Sequence, residues 1–351
     1  MSAQSAAVEE QLADADDLLK CFSPLLRSMR VFGLYFTRAS RRISDEAGTT
    51  DSKIRSNWNS GRIYAIVSLM VAWLNTARML SVFEKTDKFE FVLLLKLSAV
   101  SAALLSSLQQ TACFVACQTG NLDQVFREAK LTKSDIARYS RLAVIHTIAC
   151  WFLSVLDVLV FLLPELIMQN ATNTFTTPFG VHIIPSSQVL MLAKAMMSVL
   201  FVLADFTWFS TYSVNYMVTS VLYDQFHGLN QDFRHAVGHN GEFNGNIREF
   251  RRRRQKITQQ VQNADQFMKI SNVAGFCCQI FKLILILYCT IFFRNETVGN
   301  NAISAVGLVF VYWLASVVFG LTLTACLGVV INHEVIACTI QLVPLSNKIC
   351  M

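Results

Sequence analysis

Charge is scarce in this chain. Asp, Glu, Lys and Arg supply 15% of its 351 residues, against roughly a quarter in soluble proteins. Prolines are few as well, five in all, so long stretches run without a helix breaker. The ten cysteines contain no Cys-x-x-Cys pair, which removes a zinc ribbon or a thioredoxin-like motif, and they fit small buried hydrophobes. Met1 to Asp17 is polar and acidic without an apolar run, so no cleavable signal peptide is expected. No Gly-rich phosphate loop, His-Glu-x-x-His or Ser/His/Asp arrangement occurs. Nothing therefore points to an enzyme, a cofactor or a metal.

What is present is apolar. Hydrophobic residues make up 53% of the chain, more than one aqueous core can hide. A spanning helix needs about 20 mostly apolar residues to cross some 30 Å of hydrocarbon. Six stretches qualify: Ile63–Val82, Phe91–Cys117, Leu142–Met168, Val189–Leu222, Ile270–Phe293 and Ala302–Ile331. The expected fold class is all-α, a polytopic membrane helix bundle. Asn173–Ser187, with Pro178, Gly180 and Pro185, reads as a structured loop, and His227–Asn246, rich in Gly, Asn and His, as a flexible linker. Ile247–Gln266 reads as a polar helix running into the fifth span.

Orientation follows from Lys and Arg in the short connections. Lys20, Arg27, Arg30, Arg38, Arg41, Arg42, Lys53 and Arg55 precede the first span. Arg127, Lys130, Lys133, Arg138 and Arg141 separate spans two and three, and the run Arg251–Arg254 with its neighbours separates four and five. The other side carries only Lys85, Lys88 and Arg294. This predicts a cytoplasmic N-terminus. Both N-glycosylation sequons found in connections, at Asn170 and Asn295, fall on the outer side. The expected segments are a cytoplasmic N-terminal part (1–62), spans one to four (63–223), a cytoplasmic linker and helix (224–266), spans five and six (267–333) and a cytoplasmic tail (334–351).

Four features go beyond topology. Phe22 to Tyr35 (FSPLLRSMRVFGLY) is an amphipathic stretch with Pro24 early and Gly33 closing it. Span four is long and followed by a polar linker. Asn263 to Ser271 (NADQFMKIS) leads into span five, and Leu323 to Glu334 (LTACLGVVINHE) leaves span six. Together they resemble the insect-type gustatory receptor family, relatives of the odorant receptors, over nearly the whole chain. That resemblance implies a multi-pass plasma-membrane protein of sensory cells. It would form homo- or hetero-tetramers that conduct cations when a small-molecule tastant binds in the outer half of the bundle. Its partners would be lipid, tastant and related subunits, with no nucleic acid. The family has a seventh, pore-lining span, and no apolar run follows Cys338 to Cys350. Gating is therefore expected to need a longer isoform or a co-subunit. The alternatives are a truncated, non-conducting regulatory subunit or fragment and, in another class, a six-span transporter.

Ionisable groups inside apolar spans are costly, about 2.5–3.5 kcal/mol each on insertion scales, which makes them functional candidates. Lys96 and Lys194 lie near outer span ends, where a long stem can snorkel. Asp157, Asp205 and Lys282 lie deeper, and an ion pair of Lys282 with either carboxylate is expected. The residues proposed for ligand contact are Asp205, Trp208, Tyr288, Tyr312 and Trp313, with Trp73 and Asn75 at a similar level. For the aromatic ones an interfacial-anchor reading stands beside the pocket reading. Asp205 and Trp208, one helical turn apart, share a face. Arg251–Arg254 fits a solvated juxtamembrane face, with a phosphoinositide site as the alternative. His227, His235, His239 and the pair His333-Glu334 lack the spacing of a metal site.

Overall fold

The structure, a computed structural model, describes residues 15–36, 51–80, 91–129, 132–167, 187–237, 245–292, 311–326 and 328–329. Every extended element among them is helical: α1 (Ala15–Cys21), α2 (Ser23–Val31), α3 (Asp51–Leu80), α4 (Phe91–Thr119), α5 (Asn121–Glu128), α6 (Lys133–Ile167), α7 (Ser187–Ala236), α8 (Ile247–Phe292) and α9 (Val311–Cys326). Both sequons, the loop with Pro178 and Pro185, His239 and the tail from residue 330 lie outside the described residues.

The chain forms an all-α bundle that is apolar outside as well as in its core. Apolar side chains on α3, α6, α8 and α9 face outward: Leu74 is 65% exposed, Phe152 64%, Phe292 67% and Phe319 65%. Beside the apolar core the buried set includes polar residues of α4 and α7, among them Ser98, Ser107, Gln109, Gln110, Thr207, Ser210 and Asn215. Lipid suits that outward face. Among the described residues four helices are long and apolar enough to cross a membrane: Ser60–Leu80, Val100–Thr119, Ser134–Val160 and Ile247–Phe292. The structure is thus that of a multi-pass membrane protein. Two of the six spans read from the sequence are not among those four. Val311–Cys326 is a shorter apolar helix, and the span expected at Val189–Leu222 lies within α7.

α7 has 50 residues and α8 has 46. At 1.5 Å per residue each is about 70 Å long, more than twice the hydrocarbon thickness. The polar helix expected at Ile247–Gln266 is the first part of α8. The flexible linker expected from His227 is not one at its start, because α7 continues to Ala236. Phe226, Leu229 and Phe233 bury against Ile257 of α8. His227 stacks on Tyr223 and hydrogen-bonds Gln231 at 2.9 Å. That i, i+4 support overrides Gly228.

The N-terminal segment is part of the core. Pro24 sits in the first turn of α2, where its missing N–H leaves no gap. Gly33, at φ +69°, ends the helix: its N–H donates to the Arg30 carbonyl and that of Leu34 to the Met29 carbonyl, a Schellman cap. The turn delivers Phe32 into the bundle. There it stacks on Phe206 of α7, centroids 4.0 Å apart, and lies 5.1 Å from Trp151 of α6. Phe22 packs on Phe126 of α5 at 4.5 Å. The Phe22–Tyr35 stretch thus clamps α5, α6 and α7 together.

Candidate functional site

Four helices bring one polar group each to a common place. α6 carries Asp157, α7 Asp205, α8 Lys282 and α9 Tyr312. The Asp205 carboxyl hydrogen-bonds that of Asp157. The Tyr312 hydroxyl donates to Asp157 and accepts from Ser316 one turn along α9. Both carboxyls lie within electrostatic range of Lys282, whose ammonium lies 5.5 Å from the Trp208 ring centroid. Attraction of this kind is stronger in a low-dielectric bundle than in water.

These groups edge a cavity of about 50 Å³ whose wall includes Asp157, Asp205, Trp208, Lys282 and Trp313, with Ser98, Phe201 and Ser316. Its wall is mostly apolar with a few convergent polar groups, the wall chemistry of small-ligand sites, in a volume several-fold smaller than theirs. Two wall atoms have no hydrogen-bond partner although buried, the Asp205 Oδ2 and the Trp208 indole N–H. They offer one acceptor and one donor, one helical turn apart. Beside the cavity α9 packs closely on the side chains of α7 and α8. A Cβ on Gly320 of α9 would lie 3.2 Å from Gln279 Nε2 and 3.8 Å from Trp208 Cζ2.

Five of the residues singled out in the sequence therefore meet around one cavity: Asp157, Asp205, Trp208, Lys282 and Trp313. Tyr312 joins them through its bond to Asp157. Tyr288 does not line it; its ring stacks on Phe292 at 4.4 Å and packs against the cluster of Leu285, Ile286 and Val317. Trp73 is 40% exposed and its indole N–H donates to Thr111 at 3.2 Å. Asn75 accepts from Arg78 at 2.9 Å. The side chains of Lys96 and Lys194 lie outside the described ones. Ser98, Phe201, Ser316 and Gln279 went unremarked in the sequence. Gln279, three residues before Lys282 in an apolar run, carried the same signal of a polar group at helical spacing.

Elsewhere the polar contacts are structural. Asp224 of α7 accepts from Arg138 at 3.2 Å and from the Tyr139 hydroxyl at 2.7 Å. Arg251, Arg252 and Arg253 are exposed, and Arg253 pairs with Asp232 at 2.9 Å, as expected of a solvated face. Cys113, Cys117 and Cys150 are buried, whereas Cys277 is exposed. Among the described residues no cluster of three metal-ligating side chains occurs.

No protein-family model matches the chain, and no curated protein matches it. The site has to be read on its own chemistry.

Proposed function

We propose that this chain is a chemosensory receptor of the gustatory type, a subunit of a ligand-gated cation channel in the plasma membrane of sensory cells. The cavity between Asp205, Trp208 and Lys282 is its site for a small external tastant. The observation that carries this reading is the convergence of five helices on one partly apolar cavity with an unused donor and acceptor in its wall. A ligand filling it would touch α4, α6, α7, α8 and α9 at once. Differential affinity for two arrangements of those helices is what a gating ligand requires. The likeness of Phe22–Tyr35 and of the α7–α8 region to the gustatory pattern supports the family reading.

In the proposed layout six spans cross the bilayer with the N-terminus inside, which puts the cavity at and just outside the midplane. The basic residues of the connections support it. The test is cation current from full-length chain in oocytes, alone and with related subunits, under a panel of sugars, amino acids and alkaloids. Asp205→Asn and Trp208→Phe are expected to shift the half-maximal concentration for the active compound, while the cytoplasmic Asp232→Asn leaves it unchanged. Absence of any ligand current in every combination, with protein at the cell surface, would count against the channel reading.

A further inference from the structure

A second cavity lies on the flank of the bundle, larger than the charged one, at about 210 Å³. Its walls come from α3, α4 and α7, with Phe32 closing one end. Along α3 it runs from Tyr64 to Asn75, roughly 16 Å at the helical rise. The mouth is apolar and open: Tyr64 is 51% exposed, Val67 51% and Val71 41%. The back wall is different. Ser106, Ser107 and Gln110 of α4 are buried there, and Ser68 and Thr207 join them.

The chemistry of that wall limits the occupant. No Asp, Glu, Lys, Arg or His lines it among the described residues. Its one acidic group, the Tyr64 phenol, is engaged in donating to the Val31 carbonyl. Some of the hydrogen-bonding capacity is used internally. Gln110 donates to Ser68 Oγ at 2.7 Å, Ser68 donates to the Phe32 carbonyl at 2.8 Å and Ser107 pairs with Thr76 at 2.9 Å. Each of those hydroxyls and the Gln110 carbonyl keeps acceptor capacity. Polar groups at membrane depth without partners are costly, so the wall favours an occupant that can hydrogen-bond. Having an apolar mouth on the lipid-facing flank, the cavity is entered from the membrane phase.

A third, small space lies between this cavity and the charged one. About 10 Å³ in volume and beside Asn75, Arg78 and Met79, it shares Ala103 and Ala204 with the flank cavity and Phe201 and Asp205 with the other. That is room for about one water molecule. The Arg78–Asn75 hydrogen bond lies at its edge. The two cavities are separate chambers sharing the α7 wall.

We infer that the flank cavity is a second binding site, for an uncharged, membrane-partitioning small molecule bearing a hydroxyl group. This does not depend on the receptor reading.

The test uses full-length chain in phospholipid nanodiscs and a diazirine-bearing octanol as photoprobe. Adducts mapped by mass spectrometry are expected on residues 64–75 and 103–110 and to be suppressed by excess unlabelled octanol. Val71→Trp, which plugs the mouth from a lipid-facing position that tolerates tryptophan, should abolish most of that labelling. Val155→Trp on the outward face of α6 should not. Ala103→Phe fills the back of the cavity and should match Val71→Trp. If it fails to fold, the mouth variant alone decides. Adducts spread over outward residues such as Ile145 and Ile148, without competition, mean bulk lipid partitioning and overturn the proposal. Labelling of 64–75 that persists in Val71→Trp overturns it too, as does a cavity that takes no probe and holds water only.

Discussion

The Lys282 ammonium on α8 lies 5.5 Å from the ring centroid of Trp208 on α7, within the electrostatic reach of two carboxyls. The indole face and the aspartates favour the same cation. Lys282 therefore ties α6, α7 and α8 at a depth where an uncompensated charge is expensive.

Neutralising Lys282 alone leaves two carboxyls without their counter-charge. Lys282→Met is expected to destabilise the bundle by on the order of 3 kcal/mol. The triple variant with Asp157→Asn and Asp205→Asn should recover most of that loss, since no charge is then left at the site. Thermal unfolding of the purified variants in one detergent reads the difference. A single variant as stable as the parent would show that the three groups do not interact.

Gly33 and Gly120 both have positive φ, 69° and 75°, but only the first is crowded. A Cβ at Gly33 would sit 2.6 Å from Ser68 Cβ, whereas nothing lies within 4 Å of one at Gly120. Strain from φ is shared, about 1–2 kcal/mol. The steric part belongs to Gly33 alone. Gly33→Ala should lower the melting temperature clearly more than Gly120→Ala, and equal shifts would deny the close approach of the N-terminal turn to α3.

Phe32 plugs the bundle between Phe206 and Trp151. Phe32→Ala removes a buried aromatic ring, a change that costs about 3–5 kcal/mol in well-packed cores. Because the plug also anchors α2, the variant should loosen that helix and speed limited trypsin cleavage at Arg27 and Arg30, which are already exposed. A digestion pattern identical to the parent would mean that α2 is held by other contacts.

How much of this was legible in the sequence differs by residue. Asp157, Asp205 and Lys282 stood out because a charge inside a long apolar run demands a reason. That they meet at one cavity depends on the rotation of three helices, which one sequence does not fix. Tyr288 shows the limit: it lies two turns from Lys282 in the same run, yet it stacks on Phe292 instead of facing the cavity. Gly228 and the nearby histidines read as a linker because local propensity was weighed without the Phe226–Ile257 contact that holds the helix. Gln109 and Gln110 stand out less in the sequence because uncharged amides cost less inside an apolar run than charges do. Their burial marks α4 as an interior helix. The N-terminal stretch was recognisable as amphipathic, but its burial under the bundle needed the partner surface of α5 and α6.

The layout in lipid underlies the receptor reading, and glycosylation mapping tests it without knowledge of any ligand. Full-length chain is expressed in cultured cells with either native sequon removed, Asn170→Gln or Asn295→Gln, and in a third form with both removed and an acceptor sequon inserted between residues 238 and 244. The account predicts endoglycosidase-sensitive mass shifts that disappear one by one with the native sequons and no glycan on the inserted site. A glycan between residues 238 and 244, with Asn170 and Asn295 bare, would contradict it.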